Sequence, residues 1–154
     1  MKASIRNARP DDRDTIVRFN QLLAKETEDK DIPAAVLEPG VGALLSDPHK
    51  GRYFIYEVDG KALGQTMITY EWSDWRNGWF WWIQSVYVDR SIRGSGAFGA
   101  LYRHIKELAE TEPDVCGIRL YVEKQNEHAT AVYLALGFQH THYNLLEVDF
   151  RATG

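Results

Sequence analysis

The residues whose types and spacing most clearly imply chemistry are Arg93-Gly94-Ser95-Gly96-Ala97-Phe98. They lie between a strand-like run, Trp82-Ile83-Gln84-Ser85-Val86-Tyr87-Val88, and a helix-like run with Phe98, Leu101, Tyr102, Ile105, Leu108 and Ala109 at helical spacing. A glycine turn that opens a helix leaves several backbone N–H groups without helical partners, all pointing one way. That arrangement receives a phosphate or a diphosphate. The glycines are not a P-loop, because no Lys follows them. Gly94-Ser95-Gly96-Ala97-Phe98-Gly99 fits the dinucleotide string Gly-x-Gly-x-x-Gly, but it sits past mid-chain and no second mononucleotide half follows. A plain turn using glycine for positive φ is the competing reading, and the string alone leaves both open.

A second set of residues surrounds this loop. Trp72, Trp75, Trp79, Trp81 and Trp82 fall within eleven residues, beside Tyr70 and Phe80. Most of them are expected to build core, but strand alternation cannot bury all of them on one face. Trp72 and Trp82 are candidates for an aromatic wall suited to an ammonium group. The acidic run Glu26-Thr27-Glu28-Asp29-Lys30-Asp31 offers Glu26 and Glu28 as carboxylates that select a cation, or it is an ordinary solvated loop. His140 and His142 alternate on a strand-like run, but two histidines do not complete a zinc spacing, so no metal site is expected. The single cysteine, Cys116, excludes an internal disulfide and reads as a buried thiol ahead of an apolar strand.

The elements that must position these groups follow from periodicity. A short strand over 2–8 leads into Pro10-Asp11-Asp12 and a helix with Ile16, Phe19 and Leu23 on its apolar stripe. Leu37, Val41, Leu44 and Leu45 mark a short second helix with Pro39 near its start. Two strands flank the hairpin signal Asp59-Gly60, with Gly64 as a bulge position. After Asn77-Gly78 comes a strand over about 79–88 that is apolar on both faces, as in a sheet covered on both sides. The loop and third helix separate it from the strand Gly117–Val122, so these two should run parallel. Asn126 suits an N-cap, Ala129, Val132, Tyr133 and Leu136 form a fourth helix, and Gly137 ends it. Two further strands are expected within 138–150. The order is β-α-α-β-β-β-α-β-α-β-β, a mixed α/β sheet with helices on both faces, in one domain over 1–154.

Composition narrows the function classes. The 154 residues are 44% hydrophobic and 26% charged with a net charge of −4, and no Lys/Arg run forms a basic patch, so nucleic acid is not an expected partner. No stretch approaches the ~20 apolar residues of a membrane span, so no membrane partner is expected. The run from Met1 to Arg6 has no signal-peptide apolar region, and cytoplasmic residence is the expectation. The aromatic surplus is compatible with a homodimer.

The element order and two motifs together resemble the GNAT N-acetyltransferase superfamily over nearly the full chain. Arg93-Gly94-Ser95-Gly96-Ala97-Phe98 matches the family's pyrophosphate loop, Arg/Gln-x-x-Gly-x-Gly/Ala, except that Phe98 stands where a small residue is usual. Asn126-x-x-Ala129-x-x-x-Tyr133-x-x-x-Gly137-Phe138 matches its coenzyme-side helix. The resemblance implies an acetyl-CoA-dependent transfer to an amine, with Arg93, Gly94, Ser95, Gly96, Ala97 and Phe98 around the diphosphate. It further implies that the Val86 and Val88 amides pair with the pantetheine arm between two diverging strands, and that Asn126 contacts that arm or serves only as a cap. Tyr133 would be the acid to the leaving thiolate, since a phenol of pKa ~10 keeps its proton where a thiol of pKa ~8.5 needs one. An alkyl amine must lose a proton first, at about 4.6 kcal/mol at pH 7 by pKa arithmetic. Many family members place a Glu on the strand before the loop. Here that strand offers Gln84, so the sink is a water held by Gln84 or a carboxylate such as Glu71. The acceptor would be a small amine, polyamine or amino-acid-like. Protein lysines or N-termini are the rival acceptors, and an acyl-CoA sensor without turnover is the rival class.

Overall fold

In the computed structural model, which describes residues 2–151, the chain forms two units, one ending at Tyr121 and one beginning at Val122. The first unit holds β1 (Ala3–Asn7), α1 (Arg13–Glu28), α2 (Ala34–Leu45), β2 (Arg52–Val58), β3 (Lys61–Ser73), β4 (Gly78–Val88), α3 (Ala97–Thr111) and β5 (Val115–Leu120). The second unit holds α4 (Glu127–Ala135).

The five strands form one mixed sheet in sequence order, antiparallel through β4, with β5 parallel to β4. Local chemistry sets this topology. Asp59 and Gly60 both adopt positive φ, 50° and 81°, which closes the β2–β3 hairpin with the twist its strands require. Asn77, at φ 49°, turns β3 into β4. A helix connects β4 to β5, and only such a crossover brings the chain back in parallel. The register shift at Tyr56/Glu57 lies opposite Gly64, where the sequence placed a bulge.

Helices cover both faces of the sheet. On one face Ile16 and Val17 of α1 and Val41 of α2 pack on Tyr53 and Ile55 of β2. On the other, Leu101 and Ile105 of α3 are fully buried, and His104 meets the Phe54 ring edge-on at 5.5 Å between centroids. The N-terminus is stitched to this frame by Arg6, which donates to both carboxylate oxygens of Asp12 at 2.8 Å and also to Glu57. The Asp12 carboxylate additionally accepts the Arg9 N–H at 2.6 Å.

Five expectations are corrected. No strand forms within 138–150. A strand exists by virtue of a ladder partner, and these residues have none; Leu145, Leu146, Val148 and Phe150 are all exposed. His140 and His142 therefore share no strand face, and the His142 ring instead lies 4.1 Å from that of Tyr143. Glu26 to Glu28 belong to α1 rather than to a loop, because the helix ends only where Asp29 takes a left-handed φ of 50°. α2 begins at Ala34, capped by Pro33, and so contains Pro39 instead of starting at it. Cys116 is exposed rather than buried: β4 and β5 pair as Trp79↔Val115 and then Phe80↔Gly117, so Cys116 is the extra residue of a bulge on the outermost strand.

Candidate functional site

Two backbone irregularities meet near the middle of the sheet. The first is a bulge in β4. The β3–β4 register passes from Gln65↔Tyr87 to Met67↔Gln84, so Thr66 faces two residues, Ser85 and Val86. Ser85 holds φ 53°, a left-handed conformation that costs a non-glycine residue about 1–2 kcal/mol. Side chains from β3 fix it. Gln65 Nε2 donates to the Ser85 carbonyl at 3.1 Å, and Thr66 Oγ1 to the Gln84 carbonyl at 3.3 Å. Both side chains are fully buried, and Gln65 also reaches Asn20 Oδ1 at 3.4 Å. Asn20 Nδ2 in turn donates to the Tyr53 hydroxyl at 3.0 Å, which itself lies within hydrogen-bonding reach of Ser85. Burial raises the Tyr53 hydroxyl above its usual pKa, against the opposing hydrogen bonds of Asn20 and Ser85.

The second irregularity is a parting of strands. The β4–β5 ladder ends at Ile83↔Leu120, while β4 continues through Gln84–Val88 without that neighbour. The Asp89 N–H donates to Leu63 O at 2.8 Å, toward β3. Backbone groups alternate along a strand, so the Val88 and Val86 amides face the opposite edge, which β5 has left. These are the two amides singled out from the sequence.

β4 leads through a 3-10 turn, Arg90–Ile92, into the glycine loop. Gly94 and Gly96 take φ 83° and 85°, and a Cβ at either would meet nothing within 4 Å. Glycine is needed here for conformation and not for space. The first backbone bond of α3 runs from the Ala100 N–H to Gly96 O at 3.0 Å, so the turn ahead of it aims amides outward from the helix. Ser95 is partly engaged, its N–H and hydroxyl both donating to Ile92 O. Ala97 is buried and Phe98 half-buried at the head of the helix.

Arg93 does not project from the loop but folds back across it. Its Nε donates to Val88 O at 2.9 Å, and its Nη2 to Glu26 Oε1 and Oε2 at 2.8 and 3.2 Å. Arg90 Nε adds a bond to Glu26 Oε1 at 3.2 Å. Burial pushes the Glu26 carboxyl upward, and the hydrogen bonds and charge of Arg93, with Arg90, outweigh it to leave the carboxyl below its usual range. Glu26 is thus a strap between α1 and the loop, its carboxylate engaged by Arg93 and Arg90 where the sequence suggested a carboxylate open to substrate.

A cavity of about 420 Å³ opens between α1, α2 and the sheet, with Glu28 at its rim and Asn20, Tyr53 and Ser85 among its lining. A hollow of about 360 Å³ at the start of α1 and the end of α2 lies apart from the bulge. Met67, Thr69 and Glu71 of β3 and Gln84 and Trp82 of β4 share the cavity's face of the sheet by alternation. Gln84 Nε2 donates to Thr69 Oγ1 at 2.7 Å. Trp72 is on the opposite face, edge-on to Trp79 at 5.0 Å, and so does not line this cavity. Glu71 pairs with Phe80, six residues before Val86, which is roughly 20 Å along the strand. Its Oε1 already accepts from Trp82 Nε1 at 3.1 Å and Arg119 Nη1 at 3.0 Å. Glu71 therefore lies far along the strand from Val86 and is paired with Arg119.

The second unit carries the other two candidates on α4. Asn126 Oδ1 caps the helix by accepting the Ala129 N–H at 3.0 Å. Tyr133 lies edge-on to Phe138 at 5.9 Å, and burial raises its hydroxyl above the usual phenol value.

Asn20, Tyr53, Gln65, Thr66 and the Ser85 bulge were missed from sequence. A signal existed for three of them. Asn20 sits on the apolar stripe between Ile16 and Leu23, and Gln65-Thr66 interrupts an apolar strand. A polar group at a core position needs a partner, which is a reason to look for one.

The family model described as Acetyltransferase (GNAT) family matches residues 16–138. No curated protein matches the chain. Among solved structures, a possible acetyltransferase from Clostridium difficile 630 is 49% identical, with 99% of this chain and 100% of that one covered and a TM-score of 0.92. A ribosomal-protein-alanine N-acetyltransferase from Brucella melitensis biovar Abortus 2308 is 17% identical over 97% and 99% of the two chains, with a TM-score of 0.77. An aminoglycoside acetyltransferase from an uncultured soil metagenomic sample is 16% identical over 99% and 100%, with a TM-score of 0.71. The last two likenesses are of fold alone.

Proposed function

We infer the reaction from one premise: this chain belongs to the GNAT acetyltransferase family. It transfers an acetyl group from acetyl-CoA to the nitrogen of a small amine. The observation that carries this reading is the departure of β5 from β4 after Ile83, beside a glycine turn whose amides open outward. The donor fits both features, one as an extended amide-bearing arm and the other as a diphosphate. Bound there, acetyl-CoA supplies the acyl group as a thioester.

The chain's own residues would act as follows. The turn from Gly94 to Phe98 holds the diphosphate through backbone N–H groups, which do not depend on the bulk of Phe98. The Val86 and Val88 amides orient the arm, and the Val86 N–H is the donor aimed where negative charge grows on the carbonyl oxygen. Tyr133 holds its phenolic proton at neutral pH and gives it to the departing sulfur; its raised pKa keeps that proton in place beforehand. Asn126, whose oxygen accepts the helix-capping bond, offers its amide N–H groups to the donor. Gln84 cannot serve as a base, and its part is to hold a water that carries the amine's proton toward solvent. Trp82 extends the acceptor side of the sheet.

Calorimetry with coenzyme A, followed by thiol release from acetyl-CoA with a panel of amines and peptides, tests the reading. Tyr133→Phe should lower kcat at least about 100-fold with little change in acetyl-CoA binding. No uptake of coenzyme A would end the proposal. One observation favours a second reading: Glu71 is bound to Arg119, and Gln84 supplies no carboxylate. That reading is an acyl-CoA sensor, identified by tight binding of acetyl-CoA with no thiol release from it in the presence of any acceptor.

A further inference from the structure

The cavity beside the β4 bulge has a polar end and an apolar body. Asn20, Tyr53 and Ser85 form the polar end, one residue from the Val86 amide. The body is lined by Leu23, Ile32, Val36, Leu37, Leu44 and Met67. Nearby carboxylates do not offset this apolar character, because each of the four acidic side chains over 26–31 already has a basic partner. Glu26 is taken by Arg93 and Arg90, Glu28 faces Lys30 Nζ at 3.6 Å, and Lys25 Nζ lies 3.0 Å from Asp29 and 3.8 Å from Asp31. A polyamine would bring two or more ammonium groups, of which only one reacts. The others would have to shed water against aliphatic side chains, with only the exposed Glu28, loosely paired with Lys30, at the rim to receive them. An amine whose remainder is aliphatic or aromatic meets no such penalty and gains from leaving water.

We propose that the acceptor is a primary amine with an apolar body, seated between α1 and α2 with its nitrogen at the Asn20–Tyr53–Ser85 end, and not a polycation. This rests on the acetyltransferase reading and narrows it. It also withdraws the cation-selecting role that the sequence gave to the acidic run.

The test compares isoamylamine and phenethylamine with putrescine and spermidine, by thiol release from acetyl-CoA and by calorimetric binding to protein saturated with coenzyme A. The apolar amines should exceed the polyamines at least about ten-fold in kcat/KM and should bind measurably. Val36 is 62% exposed, so Val36→Asp places a charge on the cavity wall without disturbing the core. It should lower kcat/KM for the apolar amines about ten-fold while leaving KM for acetyl-CoA in place. A preference for putrescine or spermidine would overturn the proposal and leave the enzyme reading standing, as would an unchanged apolar rate in Val36→Asp. Binding of the apolar amines without thiol release would uphold the cavity assignment and sink turnover. If no amine binds or reacts although coenzyme A binds, the cavity assignment falls.

Discussion

Glu26→Gln isolates the strap between α1 and the glycine loop, because it keeps the side chain's shape and removes its charge. The carboxylate takes three hydrogen bonds from two arginines, the shortest being 2.8 Å from Arg93 Nη2. Charge-assisted bonds are worth about 1.5–3 kcal/mol when well shielded. Here the Arg93 side chain is 45% exposed against 18% for Glu26, which brings the expectation toward the surface range, about 1 kcal/mol. The same Arg93 also holds Val88 O and lies over the Tyr87 ring, so releasing it loosens the backbone between the open strand edge and the diphosphate turn. If that loosening must be reversed on binding, about 1 kcal/mol appears as a roughly five-fold weaker Kd for coenzyme A. The charge is fully present in a neutral assay. Glu26 has a depressed folded pKa, so its contribution is complete above the ordinary Glu value and is lost only as pH falls through the lower folded one. Calorimetric titration of coenzyme A, paired with urea unfolding of the same samples, reads both quantities. Arg93→Gln and the double variant complete the cycle, which should be non-additive because the residues share one bond network. The strap reasoning is refuted if Glu26→Gln lowers the urea midpoint while the Kd for coenzyme A stays within two-fold. Strict additivity with Arg93→Gln would refute it as well.

Gly96→Ala should destabilise the protein by about 1 kcal/mol through φ 85° alone, since its Cβ would meet nothing; a neutral result in urea unfolding would mean that the turn does not need left-handed backbone. Gln65→Leu strands the Ser85 carbonyl, a loss of about 1–3 kcal/mol reduced by removing Gln65 Oε1, which is buried without a partner. It should also weaken coenzyme A binding, and wild-type affinity in this variant would show that the bulge holds itself. Asp12→Ala removes one of the two carboxylate partners of Arg6, leaving Glu57, and should lower stability by about 2 kcal/mol in urea. The hydrogen bond from Arg6 holds the Asp12 carboxyl below its usual range, so its stabilisation is full above the ordinary Asp value and fades as pH falls through the lower folded one. Thermal midpoints should therefore be flat near neutrality and drop on the acid side more steeply in wild type than in Asp12→Ala.

What the sequence exposed and what it hid divide along a physical line. Features written as local conformation were legible: Asp59-Gly60 and Asn77 as positive-φ turns, Gly94 and Gly96 opening a helix, Asn126 as a cap, and the parallel pair that a helical crossover compels. Each depends on a few adjacent residues and on rules that act within one turn of chain. Features that depend on which partner a side chain finds were not legible. Glu26 looked like a free carboxylate because Arg90 and Arg93 lie more than sixty residues away in sequence, at 3.2 and 2.8 Å in space. Glu71 looked available for the same reason, with Arg119 forty-eight residues away. The run over 138–150 carries strand-forming residues, but pairing is a property of two segments and cannot be read from one. The Ser85 bulge belongs to the same class. Nothing in Gln84-Ser85-Val86 announces a left-handed residue, and the conformation is imposed by Gln65 and Thr66 from the neighbouring strand. That bulge displaces the register of β4 just where β5 turns away, and its far side supplies the polar end of the cavity. One pair of buried polar residues on β3 therefore holds the bulge that lies both beside the β4 edge left by β5 and at the polar end of the cavity.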